Sequence, residues 1–359
     1  MDMLKFMSTF LITVRKPQLK EILNMSYTER PSDEFLSLYK KTGDNDQNVA
    51  YAAQREFAKA LELPLRKGVL TGNILGNKLE PIPVEPGATT EYPLDLISPG
   101  LEGEHVAYTN PGHGRIPERA VESDYVMIPT YSITSSIDYL LRYAREARWD
   151  VAGRAAQVME AGFVKKMNDD GWHTLLAAGV DRNILVYDGD ATAGLFSKRL
   201  VSLMQTVMRR NAGGNTGSSN RGRLTDLYVS PEALEDIRNW GLDQVDEVTR
   251  REIYTAGEGG APITRIYGVN LHDLDELGEG QEYQDFFTSG LGGAVEASDL
   301  ELVVGLDQGA SDRFVMPMKQ ALQACEDPPL HRQQRVGYYG WAELGFGVLD
   351  NRRVILGSF

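Results

Sequence analysis

Five histidines, one cysteine and several acid pairs are the residues of this chain that could do chemistry, and their spacing argues against it. His105, His113, His173, His272 and His331 lie far apart, with no His-Glu-x-x-His pair to hold a metal on one helix face. His113 falls in Pro111-Gly112-His113-Gly114, a turn sequence. The run Asp273-Leu274-Asp275-Glu276-Leu277-Gly278 begins like a calcium loop, but its fifth position is Leu277 and its twelfth, where a bidentate glutamate is needed, is Gln284. It reads as a solvated acidic turn. Gly213-Gly214-Asn215-Thr216-Gly217-Ser218 has no lysine after its last glycine and joins a helix to a strand, whereas a phosphate cradle needs the strand first, so that helix amides face the anion. It is expected to be a surface loop, and the flanking Arg209, Arg210, Arg221 and Arg223 suit contact with an acidic neighbouring subunit. No Gly-x-Ser-x-Gly elbow is present, Cys325 sits beside Glu326 and Asp327 as an inert thiol, and Asp169-Asp170 reads as a solvated face. Nothing brings nucleophile, base and oxyanion donor together, so the expectation is a protein that is no enzyme, with no catalytic residue, cofactor or metal.

Composition points the same way. The 359 residues are 42% hydrophobic and 25% charged, enough to bury a large core, and the net charge of −14 argues against a protein that grips nucleic acid through its phosphates. The charge is uneven: residues 1–67 hold 11 Lys+Arg against 9 Asp+Glu, so the rest of the chain carries all of the excess acid. A single cysteine allows no intrachain disulfide and fits a reducing cytoplasm. Phe6 to Val14 is too short to span a bilayer and lacks a cleavage site before Lys16-Pro17, so neither signal peptide nor membrane segment is expected.

The elements expected to carry these residues fall in a definite order. Residues 1–67 are helical in pieces, with Ser32 capping a run through Phe35, Leu36 and Tyr39, and with Val49, Ala53, Phe57 and Leu61 at helical spacing. This arm has too little apolar surface for a core of its own and must lie on something else. From Val69 to Val121 proline and glycine recur too often for a helix, which predicts an extended excursion in which His105 to Tyr108 suits a hairpin strand. Tyr125 to Ile133 predicts a strand. Ser135 or Ser136 then caps a helix from Ile137 to Leu176, marked by Leu140, Leu141, Ala144, Ala147, Val151, Ala155, Val158 and Met159. A helix over Phe196 to Arg210 precedes a strand over Thr225 to Val229, and Ser230-Pro231-Glu232 starts a helix to Trp240 with an N-cap, a proline at the first position and an acid in the first turn. Short apolar runs at Leu300 to Leu306, Arg313 to Met316, Tyr338 to Leu349 and Val354 to Leu356 predict strands that pair with the sheet beneath the long helix.

From about Arg66 to Phe359 this order, with its phrases Leu227-Tyr228-Val229-Ser230-Pro231-Glu232-Ala233-Leu234, Ile266-Tyr267-Gly268-Val269-Asn270-Leu271 and Gly345-Phe346-Gly347-Val348-Leu349-Asp350-Asn351-Arg352-Arg353-Val354, resembles the major capsid proteins of tailed double-stranded DNA phages, the Hong Kong-type capsid fold. The resemblance implies an α+β chain: an N-terminal arm over 1–84, an extended β-hairpin loop over 85–124, a peripheral domain with its spine helix over 125–194, an axial domain over 195–299 and a return to the peripheral domain over 300–359. It implies a subunit that self-assembles as pentamers and hexamers into an icosahedral virion shell around packaged DNA in the host cytoplasm. The implied partners are a scaffolding protein, a portal and, in some shells, a decoration protein. The chain departs from relatives that weld subunits through a loop lysine, because no lysine occurs between Lys78 and Lys165. Its sequence also starts with an intact arm, so a separate scaffold is expected rather than a fused one. Contacts between subunits are expected from Glu102, Glu104, Arg115, Glu118 and Arg119 of the loop against Arg142, Arg145, Glu146 and Arg148 of an adjacent spine helix. An encapsulin-like shell around cargo enzymes is the alternative, and a hydrolase working through a carboxylate pair is the remaining rival.

Overall fold

The computed structural model describes residues 33–72, 78–93, 125–211, 222–240, 265–293, 301–309 and 314–359. They divide into two units, each assembled from three stretches of chain: the described residues within 1–90, 129–169 and 316–345 in the first, and those within 91–128, 170–315 and 346–359 in the second.

The first unit is built on a sheet of β1 (Glu80–Pro83), β4 (Tyr131–Leu140), β10 (Phe314–Glu326) and β11 (Arg335–Leu344), in the order β1-β10-β11-β4. Its strongest pairing is antiparallel, with every residue of β4 facing one of β11, from Tyr131↔Leu344 to Leu140↔Arg335. The single strand expected over Tyr125 to Ile133 is therefore split, with Tyr125–Met127 in a separate ladder and a second strand that starts at Tyr131 and continues to Leu140, and the expected helix from Ile137 does not start there. The reason is a period of two within Tyr131–Leu140. Ile133 and Tyr139 are buried and Ser135 and Ile137 half-buried, while Ser132, Thr134, Ser136 and Asp138 are exposed. A one-turn helix α3 (Leu141–Arg145) follows, then a turn with Ala147 in the left-handed region (φ 55°). The spine helix α4 runs over Trp149–Asp181, a correction of the expected Ile137 to Leu176 at both ends.

Helices α1 (Asp33–Lys41) and α2 (Gln47–Gly72) belong to the same unit. Ala50, Ala53, Phe57, Leu61, Leu65 and Val69 form the buried stripe of α2 at the expected spacing, with Val49 outside it at 41% exposure. As expected, this arm lacks a core of its own and shares one: Phe57 lies 5.3 Å from Phe35, 5.6 Å from Tyr39, 6.2 Å from Trp149 and 5.3 Å from Tyr338, ring centre to ring centre. Trp149 closes edge-on against Phe35 at 5.2 Å. Such packing contributes beyond the burial of area, about 0.5–1.5 kcal/mol per aromatic pair. Further along α4, Met159 and Phe163 sit so close to β11 that a Cβ on Gly340 would lie 3.0 Å from each, which is why that strand position carries no side chain.

The second unit is built on six strands in the order β5-β13-β9-β6-β8-β7. These are β5 (Leu185–Tyr187), β6 (Asp226–Val229), β7 (Arg265–Ile266), β8 (Val269–Asp273), β9 (Leu302–Leu306) and β13 (Val354–Ser358). The expectation that the closing strands all join the sheet under the long helix is thus corrected: β10 and β11 join the first sheet, whereas β9 and β13 lie at the centre of this one. All residues of β6, β9 and β13 are buried, so these strands are apolar throughout rather than alternating. Helix α5 (Lys198–Asn211) buries Leu200, Val201, Met204 and Met208, and starts where the Ser197 hydroxyl accepts the Leu200 amide at 3.1 Å. Helix α6 (Pro231–Asn239) begins as its sequence predicts: Ser230 is extended, its hydroxyl accepts the Ala233 amide at 3.2 Å, and Pro231 fills the first helical position. Between β7 and β8, Tyr267 (φ 48°) and Gly268 (φ 77°) both adopt the left-handed region, the geometry of a two-residue hairpin turn. Helix α7 (Glu282–Asp285) runs into a wider turn over Phe286–Gly290. The short β12 (Gly347–Val348) pairs with Phe314 and Val315. An antiparallel ladder of β2 (Glu91–Pro93) and β3 (Tyr125–Met127) joins the two ends of segment 94–124, which lies outside the described residues. Among the described residues no helix is long and apolar enough to cross a membrane.

Candidate assembly surfaces

In the first unit, the end of α1 and the segment from α3 to α4 make a basic surface. Lys40 and Lys41 occupy the last turn of α1, where cations complement the helix dipole. They line a shallow cavity of about 350 Å³ with Gly43, Asp44, Asn45 and Arg145. Arg145 is fixed by its Nε donating to the Gly43 carbonyl at 2.8 Å. Arg142 and Arg148 lie over the ring of Tyr143 at 4.9 and 5.7 Å from its centre, and Arg142 donates to the Tyr143 hydroxyl at 3.0 Å. Glu146 pairs with Arg148 at 2.9 Å.

The four residues expected on the spine helix are therefore neighbours, but on different elements. Arg142 and Arg145 lie on α3, and Glu146 and Arg148 in the turn after it. Their expected loop partners Glu102, Glu104, Arg115, Glu118 and Arg119 lie outside the described residues, as do His105, His113, Arg221 and the glycine run 213–218. Lys40 and Lys41 were not anticipated. The signal was there, as a Lys-Lys pair closing a helix just before Thr42-Gly43.

The most exposed large apolar side chains among the described residues are Met127 and Tyr125 on β3, at 66% and 62%, and Val158 on α4, at 61%. A two-stranded ladder is marginal in water by itself, so a covering surface would stabilise it.

The second unit contains a buried ionic anchor. Arg353, 2% exposed, donates to Asp307 at 2.8 Å and to Asp350 at 3.2 Å, while Arg352 donates to Asp350 at 2.7 Å. Asp307 also accepts the amides of Arg223 at 3.0 Å and Gly309 at 2.9 Å. Burial alone would raise the Asp350 carboxyl, but hydrogen bonds and charge from Arg352 and Arg353 outweigh it and hold the group below its ordinary range. This cluster ties β9 to the segment entering β13.

The calcium-like run is a turn after β8 in which Leu274 and Leu277 point into the core, and its Glu276 carbonyl accepts the Tyr283 amide at 3.1 Å. Cys325 is half-buried on β10, and Asp169 and Asp170 lie within α4.

No protein-family model and no curated protein sequence matches the chain. Solved structures do. A chain from Microbacterium phage Oxtober96 aligns over 80% of this chain and 90% of its own, at 10% identity and a TM-score of 0.53. A chain from the capsid of an empty GTA particle aligns over 80% and 90%, at 12% identity and 0.50. One from the capsid of cyanophage Pam1 aligns over 76% and 84%, also at 12% and 0.50. At such identities the likeness is one of fold. The chain has the α+β Hong Kong-type capsid fold, the fold of phage major capsid proteins that form shells.

Proposed function

We propose that this chain is the major capsid protein of a tailed double-stranded DNA phage, assembling as pentamers and hexamers into an icosahedral shell around the packaged genome. The observation that carries the reading is the capsid fold extending over about four-fifths of the chain. The first unit takes the part of the peripheral domain with its arm, the second that of the axial domain, and segment 85–124 that of the extended loop. The basic surface of Lys40, Lys41, Arg142, Arg145 and Arg148 offers an anchoring place for acidic side chains of a neighbour, including Glu102, Glu104 and Glu118 of its loop. Exposed ion pairs contribute about 0–1 kcal/mol each, so attachment rests on many contacts and on apolar area such as Tyr125 and Met127 at about 25 cal/mol per Å². A net charge of −14 suits a wall that encloses DNA without adhering to it. A separate scaffolding protein, a portal and a decoration protein are the partners this role calls for, and the chain acts as building material rather than as a catalyst.

The test is electron microscopy of the protein expressed alone and with its neighbouring genes, followed by nuclease protection of purified particles. Shells that protect DNA support the reading. Shells that hold an enzyme and no DNA replace it with a cargo compartment, and a uniform monomer under every condition overturns both. With no lysine between Lys78 and Lys165, such shells run as single subunits on denaturing gels rather than as welded ladders.

A further inference from the structure

The topology of the second unit separates charge along its strands. Strands β6 and β8 run parallel, and β9 runs against β6, so the sheet has one end where β6 and β8 begin and one where they finish. At the starting end stand Arg223, just before β6, and Arg265, whose Nε donates to Asn270 Oδ1 at 3.0 Å opposite Asp226, the first residue of β6. Helix α5 reaches the same end: Gln205 donates to the Tyr267 carbonyl in the β7–β8 turn at 3.3 Å, and Arg209 and Arg210 follow one turn later. All four arginines are exposed, and none forms an ion pair among the described residues. Asp226, Asp307 and Asp350 at that end are engaged internally.

The finishing end is acidic. Glu232 and Asp236 lie on α6 after β6, Glu276 and Glu279 follow β8, and Glu301 precedes β9. Among the described residues its cations are engaged, with Arg199 held by Asp188 and Asp190, and Lys198 and Arg238 in contacts of their own. The crowding is felt. Burial and then repulsion from Glu232, Asp236 and Glu279 raise the Glu301 carboxyl above its ordinary value, although the Ser230 hydroxyl donates to it. Opposite ends of one rigid sheet cannot neutralise each other, whereas two copies can.

We propose that the basic end of this unit, Arg209, Arg210, Arg223 and Arg265, docks against the acidic end of the same unit in the next copy, making a head-to-tail seam that repeats around a ring. The inference rests on the shell reading and names the surface and the partner, a second copy of this chain. A contact that joins different patches of identical subunits is heterologous, and closes as a ring when its rotation permits. Complementary charge sets the register of such a contact and accelerates encounter, and salt screens it, over about 10 Å at 0.1 M and about 3 Å at 1 M.

The experiment uses the full chain with its neighbouring genes and counts rings and shells by electron microscopy at about 0.15 M salt. The double variant Arg209→Glu, Arg210→Glu is expected to lower assembled particles by at least about tenfold, as is Glu232→Arg with Glu279→Arg. Combining all four substitutions in one chain is expected to restore part of the assembly, because the two reversed positions at each end again meet opposite charge across the seam. Circular dichroism confirms that each variant folds, and the combined variant guards against mistaking misfolding for lost contact. If the wild type assembles and either double variant assembles equally well, or the four-fold variant does no better than the doubles, the seam is wrong while the shell reading stands. If the wild type forms neither ring nor shell, the shell reading itself falls.

Discussion

Replacing Arg353 by alanine removes the cation shared by Asp307 and Asp350. Asp307, 2% exposed, then loses that cation while still accepting the amides of Arg223 and Gly309, and Asp350 keeps Arg352. Removing one partner of a buried pair leaves an uncompensated charge and costs about 3–5 kcal/mol. Because the pair sits between the end of β9 and the start of β13, the cost falls on the opening of the second unit's central strands. Hydrogen exchange of Leu302–Leu306 and Val354–Ser358 measures it directly. At 1.36 kcal/mol per tenfold, exchange through opening should accelerate by about two to nearly four orders of magnitude. The double variant Arg353→Met, Asp307→Asn should recover most of the loss, since no lone charge remains inside. Acceleration of less than about fivefold in Arg353→Ala, roughly 1 kcal/mol, would refute the view that this pair locks the sheet.

Three further outcomes follow from the packing and the charge. Because the Asp350 carboxyl is held below its ordinary range, its contribution is present above the unfolded value near pH 3.9 and is lost as the pH falls through the lower folded value. Acid titration of Asp350→Asn should therefore lack part of the wild type's fall in stability there, and identical curves would contradict it. Trp149→Ala removes the edge-on partner of Phe35, Tyr39 and Phe57 and should cost about 3–5 kcal/mol, read as faster exchange in α1 and α2. Gly340→Val forces a side chain against Met159 and Phe163 and should cost about 1–3 kcal/mol in a urea titration, whereas Met159→Ala in the same chain should return part of it.

Local grammar was the most legible part of this sequence. Ser230-Pro231-Glu232 fixes where β6 ends and α6 begins because the cap, the missing amide and the first-turn acid act within one turn. Residues 137–140 are strand where a helix is expected, because Ile137, Leu140, Leu141 and Ala144 also satisfy a helical stripe and the ten-residue pairing of β4 with β11, some 200 positions away, decides the matter. The same is true of β10, whose second half, Gln320–Glu326, owes its strand form to β11 rather than to a strong apolar alternation. Of the assembly surfaces, the basic residues near 142–148 were visible as charge, but Lys40 and Lys41 join them only through the docking of α1, a tertiary event. The polarity of the second sheet was hidden for a related reason. Arg209, Arg223 and Arg265 become neighbours only when strand order is known.

That strand order also governs when the chain can fold. β13 sits between β5 and β9, yet it is the last of the six strands to be synthesised, so while the ribosome still holds Val354–Ser358 the sheet has a gap beside both neighbours. Contacts of such long sequence separation form slowly, and open strand edges invite pairing with other chains. A nascent copy thus exposes the flanks of β5 and β9 until β13 has emerged. Stalled or shortened chains that lack β13 are the ones expected to aggregate or to need a chaperone.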